Sequence, residues 1–145
     1  MVDVSAKPDT VRKAVASVHV RMRPAARRAA KHNPKGNPLE IARIAGIAAA
    51  KRTADLIPLC HPLLLTQVDV QANFCKTGVE ISASVTCKGP TGVEMEALTA
   101  AAVAALTVYD MCKAADRGIE ISRLHLLEKT GGKSGRYQRG TRSPK

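Results

Sequence analysis

The chain has 145 residues, of which 45% are hydrophobic, and its 23 basic and 12 acidic residues give a net charge of +11. This length suits one domain with its own core, and no window of about 18 apolar residues free of charge marks a membrane-spanning helix. The amino terminus lacks a basic region followed by an apolar one, so we expect a cytoplasmic protein. The four cysteines show no C-x-x-C spacing, so neither a structural zinc site nor a disulfide framework is signalled.

The positive charge lies at the two ends of the chain. Residues 1–36 hold nine basic and two acidic groups, residues 37–128 hold eight and ten, and residues 129–145 hold six and none. Such ends could bind a polyanion or could remain solvated. Because residues 136–145 are rich in Arg, Gly, Ser and Pro, we expect a mobile basic tail after a single domain of residues 1–135.

The first third of the chain predicts a strand followed by a helix. Residues 18–22 alternate between apolar and polar side chains, which predicts a short strand, and an Ala/Arg-rich helical turn runs from Pro24 to about His32. Asn37-Pro38-Leu39-Glu40 combines a capping residue, a proline at the first helical position and a glutamate three residues after the cap. This pattern predicts a helix over residues 38–56.

The rest of the chain predicts a hairpin, a second helix and a last strand. Two runs of period two, 64–74 and 79–87, are separated by a turn that contains glycine, which is typical of a β-hairpin. A long helix is expected from Gly92 to about Ala115. Residues 119–127 then form an apolar strand, which we expect to be bulged near Ser122-Arg123.

The order β-α-β-β-α-β predicts an α+β, ferredoxin-like fold, in which two helices cover one face of a four-stranded antiparallel sheet. The second helix is unusual because residues 97–105 include six alanines and leave no clear polar face. Such a helix should be buried all round, and two helices and one sheet cannot cover it completely. We therefore expect a second copy of the chain to pack on it, which makes the protein a homo-oligomer.

Two carboxylates, Glu94 and Glu96, lie at the start of this alanine-rich helix. One carboxylate in a first helical turn is favourable against the helix dipole and would need no further explanation. Residues i and i+2 point in directions roughly 200° apart, so at least one of the pair must face something other than the solvent side of its own helix. This placement indicates a site that accepts hydrogen bonds from donor groups of a ligand.

Asp110 and Lys113 lie three residues apart on one face at the other end of the same helix. They could form a structural ion pair, or they could form a catalytic acid–base pair whose proton affinities tune one another. Glu96 and Asp110 are about 21 Å apart along the helix at a rise of 1.5 Å per residue. A small-molecule site that uses both carboxylates is therefore expected at a subunit interface, where antiparallel copies bring opposite helix ends together.

Three further segments carry weaker signals. Lys51, with Asp55 four residues later, could be an exposed ion pair or part of a site. Cys60 and His61 are adjacent in an extended segment and so point to opposite sides, which argues against a thiolate–imidazole pair.

Residues 131–135 resemble a phosphate-binding loop, but Leu127 occupies the position of its first glycine and no long helix follows. Lys129 and Lys133 could still hold a phosphate.

Seven segments in the same order resemble the MoaC family of molybdenum-cofactor biosynthesis, the cyclic pyranopterin monophosphate synthases, over nearly the whole chain. They are residues 3–7, 42–46, 50–53, 56–62 (Leu-Ile-Pro-Leu-Cys-His-Pro), 92–99 (Gly-Val-Glu-Met-Glu-Ala-Leu-Thr), 109–113 (Tyr-Asp-Met-Cys-Lys) and 129–135 (Lys-Thr-Gly-Gly-Lys-Ser-Gly). The resemblance implies a ferredoxin-like fold and a hexamer built as a trimer of dimers. It also implies active sites between subunits.

The resemblance implies a lyase that rearranges 3′,8-cyclo-7,8-dihydroguanosine 5′-triphosphate to cyclic pyranopterin monophosphate with loss of pyrophosphate. No cofactor is implied, and the resemblance leaves open whether Mg²⁺ accompanies the triphosphate. The implied catalytic residues are Asp110, Lys113 and Lys51, and a lysine crowded by other cations is expected to have a lowered pKa. Lys35, Lys51, Lys129 and Arg12 are implied to bind the triphosphate. The implied wall that reads the purine-derived ring is made of Leu59, Cys60, His61, Glu94, Met95 and Glu96.

One departure from the family pattern and one competing interpretation remain. Asn37 stands where the family usually has Asp, and the loop before it, which carries Lys35, is rich in proline. A basic β-α-β-β-α-β domain is also typical of RNA-binding proteins, which stack bases on exposed aromatic side chains of the sheet. The chain has one Phe and two Tyr, and only Phe74 falls in a predicted strand, so we favour the enzyme.

Overall fold

The fold is a single antiparallel sheet with its long helices on one face, as the computed structural model shows for residues 1–140. The strands are β1 (Thr10–Arg21), β2 (Leu65–Cys75), β3 (Gly78–Gly89), β4 (Glu120–Thr130) and β5 (Tyr137–Gln138). The helices are α1 (Pro24–Ala30), α2 (Pro38–Ala50), α3 (Thr53–Leu56) and α4 (Glu94–Cys112). The strand order is β2-β3-β1-β4-β5. The predicted ferredoxin-like arrangement is confirmed, and the number of strands is corrected from four to five.

The fifth strand lies within the segment predicted to be a tail. Tyr137 pairs with Lys129 and Gln138 pairs with Glu128, so this part of residues 136–145 is tied to the edge of the sheet. Arg139 N–H also donates to the carbonyl of Leu127 at 2.7 Å. Residues 141–145 of the predicted tail lie outside the described residues.

The element boundaries differ from the sequence predictions where pairing or packing overrides the local pattern. β1 begins at Thr10 rather than near Val18, because β3 pairs with it along its whole length. The helix predicted over residues 38–56 ends at Ala50, and α3 follows after a turn in which the Thr53 hydroxyl donates to the Ala50 carbonyl at 3.0 Å. The predicted bulge in β4 is confirmed, since the register shifts there and Arg123 has a φ of 55°.

Small residues let the helices approach each other and the sheet closely. The helix-facing side of the sheet carries Ala14, Ala16, Val18 and Val20 from β1 and Val79, Ile81, Ala83 and Val85 from β3, all buried. A Cβ at Gly46 of α2 would lie 2.9 Å from the Ala100 carbonyl oxygen of α4. Since Lys35, just before α2, meets Asp110 near the end of α4, the two helices run antiparallel. The carboxyl end of α2 therefore lies beside the amino end of α4.

α4 is not completely covered within the single chain. Leu106 is 57% exposed and Met95 is 36% exposed, and Ile44 of the neighbouring α2 is 59% exposed. Within residues 1–140, α4 is the one helix long and apolar enough to cross a membrane, but 56% of its apolar window is buried inside the fold, as in a core helix. This agrees with the prediction that the sheet and the other helices cannot cover α4 completely, because neither the sheet nor α2 reaches this stripe of α4.

Candidate functional site

A basic cavity opens at the amino end of α4. It has a volume of about 790 Å³ and is lined by the turn before α4, by β1 near Arg12 and by the glycine-rich segment that follows β4. The lining cations are Lys7, Arg12, Lys13, Lys129 and Lys133. Five cations around one cavity with a single carboxylate, Glu94, make a site suited to a polyanion such as a triphosphate.

Two of these cations have fixed positions. Lys129 Nζ lies 3.3 Å from a Glu94 carboxylate oxygen and donates to the Ser134 hydroxyl at 2.6 Å. Arg12 donates from Nε to the Gly89 carbonyl at 2.8 Å and from Nη2 to the Pro90 carbonyl at 3.0 Å. Arg12 therefore holds the turn that leads into α4 and keeps part of its guanidinium at the cavity.

Glycines bring the backbone close to these functional groups. A Cβ at Gly92 would lie 1.9 Å from Glu94 Oε2, and a Cβ at Gly132, where φ is 74°, would lie 2.1 Å from Arg12 Nη1. Glycine avoids both clashes and adopts the positive φ readily. The glycine-rich motif thus has a packing role here, although it does not form a phosphate-binding loop ahead of a helix.

A second, smaller cavity adjoins the first. It has a volume of about 230 Å³ and contains all six residues assigned by resemblance to the ring-reading wall: Leu59, Cys60, His61, Glu94, Met95 and Glu96. Both cavities are lined by Thr91, Gly92 and Glu94. A ligand could therefore place a ring in the smaller cavity and its phosphates in the larger one.

Glu96 is the most buried carboxylate of this wall, with only 4% of the residue exposed. Burial raises its pKa, and the charge of Glu94 acts in the same direction. Burial also raises the pKa of the Cys60 thiol, with a further contribution from Glu96. Cys60 is therefore a neutral thiol at neutral pH, which agrees with the argument against a thiolate nucleophile.

The raised pKa of Glu96 predicts a gain in stability on Glu96→Gln. A carboxyl group whose pKa is higher in the folded state stabilises the fold only while protonated, so this contribution is lost as the pH rises above the usual value of about 4.3. At pH 7 the neutral isostere should raise the free energy of unfolding by about 0.5–2 kcal/mol. Substitutions often stabilise a protein by this amount where function requires a residue that destabilises the fold. Chemical denaturation at pH 7 and pH 4 tests this, and the gain should shrink at pH 4.

Glu94→Gln is the matched control, because Glu94 is partly exposed and paired with Lys129. It should give no gain at pH 7. An equal gain in both variants, or a gain for Glu96→Gln that does not depend on pH, would contradict burial as the cause.

The carboxyl end of α4 carries a separate cluster. Asp110 lies 2.8 Å from Lys113 Nζ and 3.2 Å from Lys35 Nζ, and all three side chains are more than half exposed. Hydrogen bonds from Lys113 and then Lys35 lower the pKa of Asp110, and the hydrogen bond to Asp110 raises the pKa of Lys113. The lowered lysine pKa expected from cation crowding is therefore not found for Lys113 in the single chain, because Asp110 is its nearest charge.

Lys51 caps the carboxyl end of α2 and is exposed. It makes no ion pair with Asp55 or with any other described residue.

The proline-rich loop that carries Lys35 is anchored against α4, because Asn33 donates from Nδ2 to the Met111 carbonyl at 2.6 Å. Asn37, the departure from the family pattern, still caps α2 by accepting from Leu39 N–H at 3.0 Å. The substitution thus leaves Lys35 near Asp110.

The candidate site residues form two separate clusters in the single chain. One cluster lies toward the amino end of α4 and contains Lys51, Arg12, Lys129 and the ring-reading wall. The other lies at the carboxyl end, about 21 Å away along the helix, and contains Asp110, Lys113 and Lys35.

The sequence did not predict that Lys7 and Lys13 line the basic cavity. The signal that could have found Lys13 is its pairing with Thr130 across β1 and β4, which requires knowing that β1 begins before Val18.

The fold and the two clusters define a ferredoxin-like α+β protein with a basic cavity beside a smaller cavity that two carboxylates line. The sequence pattern of the MoaC family matches residues 1–132, so the chain belongs to that family. It is 60% identical to a cyclic pyranopterin monophosphate synthase of Roseiflexus sp. over 94% of this chain and 89% of that protein. Proteins of the same name from Deinococcus radiodurans and Parvibaculum lavamentivorans are 55% and 56% identical, over 99% and 95% of this chain and 87% and 89% of theirs.

Proposed function

We propose that this chain is a cyclic pyranopterin monophosphate synthase of molybdenum-cofactor biosynthesis. In the reaction, 3′,8-cyclo-7,8-dihydroguanosine 5′-triphosphate is rearranged to cyclic pyranopterin monophosphate and pyrophosphate is released, so the enzyme is a phosphorus–oxygen lyase. The observation that carries the proposal is the high identity to proteins of this name over nearly the whole chain. The two adjoining cavities support it, because their chemistry suits the two parts of this substrate.

The basic cavity suits the triphosphate. Arg12 and Lys129 are held in place by neighbouring carbonyls, Glu94 and Ser134, so the cost of ordering them is met before a ligand binds. Lys51 lines neither cavity, but it has no ion-pair partner among residues 1–140 and lies at the end of α2 that is beside the amino end of α4. Positive charge around the departing pyrophosphate stabilises the negative charge that develops on it as the cyclic phosphate forms.

The wall suits the purine-derived ring. Ionised carboxylates only accept hydrogen bonds, and the ring offers N–H donors to Glu94 and Glu96. Burial of Glu96 strengthens such a bond and discriminates against rings that lack the donor, since they would leave a buried charge without a partner.

Asp110 and Lys113 suit the proton transfers of ring opening and reclosure. Asp110 remains ionised because Lys113 and Lys35 lower its pKa, and Lys113 begins as the protonated partner because Asp110 raises its pKa. We assign Asp110 as a proton acceptor and Lys113 as a proton donor in the first step. Their roles reverse when the proton returns.

The site is completed between subunits of a homo-oligomer, a hexamer built as a trimer of dimers. The apolar stripe of α4 and α2 that includes Leu106 and Ile44 supports this proposal, because a partner would bury it. An antiparallel copy could bring Asp110 of one chain to Glu96 of another. The oligomer works in the cytoplasm, needs no protein-bound cofactor, and takes Mg²⁺, if any, with its substrate.

Aromatic positions weigh against the RNA-binding alternative. Phe74 and Tyr109 both pack against the hydrophobic core rather than standing on the open face of the sheet. The remaining aromatic side chain, Tyr137, lies on the two-residue edge strand β5. The described part of the chain therefore offers no aromatic platform on which bases could stack.

The test is release of pyrophosphate and formation of the cyclic monophosphate when the purified oligomer meets the cyclised GTP intermediate. Lys51→Ala should lower kcat/KM by about 10²–10³, the range expected when a transition-state charge partner is lost. The matched control is Lys76→Ala, because Lys76 is an exposed lysine in the hairpin turn away from both cavities. Absence of both products with a folded parent would overturn the proposed function.

A further inference from the structure

Three potential metal ligands converge on the face of the sheet that the helices do not cover. One ligand atom from each of His19, Cys75 and Glu80 lies within 4.8 Å of the other two. His19 of β1 is directly opposite Glu80 of β3, and Cys75 of β2 is opposite Gly78, two residues before Glu80. Residues two apart in a strand share a face, so the register itself places the three side chains together.

The imidazole of His19 is buried and incompletely bonded. Only 4% of the residue is exposed. Its Nε2 lies 3.1 Å from the Thr77 hydroxyl, and Cys75 Sγ lies 3.6 Å from the same hydroxyl. Its Nδ1 lies 3.0 Å from a Glu80 oxygen but forms no hydrogen bond within residues 1–140. A buried polar atom without a partner is rare and calls for an explanation.

We propose that His19, Cys75 and Glu80 bind one Zn²⁺ ion, with water as the fourth ligand. Imidazole, thiolate and carboxylate together suit a borderline-soft divalent ion, and they do not suit Mg²⁺ or Ca²⁺, which prefer oxygen ligands. Nδ1 of His19 is the ligand atom, and Nε2–H donates to Thr77, which fixes the tautomer as the outer neighbours of metal sites usually do. No C-x-x-C motif marks this site in the sequence, because its three ligands come from three different strands.

Binding requires two local changes. The thiol of Cys75 loses its proton to solvent as the Zn–S bond forms. Glu80 exchanges its contact with Arg123, now 3.2 Å away, for the ion; Arg123 is 64% exposed and can turn into solvent. His19 is seven residues from Arg12 along β1, which is about 23 Å at 3.3 Å per residue. At this distance from the basic cavity the ion has a structural role, linking three strands, and takes no part in the reaction.

The test uses the untagged full-length chain, stripped of metal with a chelator and titrated with Co²⁺. We expect a thiolate-to-cobalt charge-transfer band that saturates at one Co²⁺ per chain, and Zn²⁺ should remove it. Cys75→Ser should abolish the band, and His19→Gln should weaken binding at least about tenfold. Cys60→Ser and His32→Gln are the matched controls and should bind normally.

Arg123→Ala gives a second, independent readout. Because Arg123 is exposed and competes with the ion for Glu80, its removal should tighten Co²⁺ binding without disturbing the fold, which circular dichroism would check. Absence of the charge-transfer band at saturating Co²⁺, or its persistence in Cys75→Ser, would overturn the proposal. Weaker binding in Arg123→Ala would also count against it.

Discussion

Mixed oligomers of Glu96→Gln and Asp110→Asn chains should recover activity that neither variant has alone. Each single variant loses a carboxylate from a different one of the two clusters, and loss of an acid or base group such as Asp110 should lower kcat about 10²–10⁴-fold. If every site combines Glu96 of one chain with Asp110 of another, random mixing leaves about one quarter of the sites intact. Pyrophosphate release from co-refolded chains should therefore reach about a quarter of the parent rate.

Mixing the parent with the double variant Glu96→Gln/Asp110→Asn is the matched control. Sites shared between chains again leave about one quarter of the parent rate, whereas sites within one chain would leave about one half. Recovery near zero in the first mixture together with one half in the second would show that each chain carries a complete site. That result would contradict the interface site while leaving the activity itself in place.

Gly46→Val should strongly destabilise the protein, because Gly46 lies where α2 packs against α4. The Cβ would lie 2.9 Å from the Ala100 carbonyl oxygen, 3.2 Å from a Val70 methyl group and 3.3 Å from the Ala104 Cβ, and backbone cannot swing away as a flexible side chain can. Overpacking of this kind should lower the free energy of unfolding by about 2–3 kcal/mol. Because α2 carries Lys51 at its end, displacement of the helix should also reduce activity.

Ala25→Val provides the comparison, since Ala25 lies on the exposed face of α1, away from the stripe of α2 and α4 that we propose a partner buries. There the branched side chain meets solvent and costs only its lower helix propensity, less than about 1 kcal/mol. Urea denaturation of the two variants beside the parent measures the difference. Equal stability of Gly46→Val and Ala25→Val would mean that α2 and α4 have room to separate, contrary to the contact at Gly46.

The sequence determined the elements whose signals are local. The cap at Asn37 depends only on neighbouring residues, so the start of α2 can be predicted without knowledge of the rest of the chain. The same holds for the hairpin of β2 and β3, which follows from two runs of period two and the turn between them. The placement of Glu94 and Glu96 at the opening of α4 is equally local, and it indicated the ring-reading wall. The resemblance then assigned six residues to this wall, and the structure gathers those six around one cavity.

Strand pairing, side-chain exposure and pKa values that depend on residues distant in the chain were decided only by the tertiary structure. The first half of β1 and all of β5 have little strand signal of their own and exist because β3 and β4 pair with them. The exposed stripe of α4 depends on which of its faces pack against the sheet and α2, and the raised pKa of Lys113 depends on the contact with Asp110. Burial, pairing and charge contacts join residues far apart in the chain, and local patterns carry no record of them.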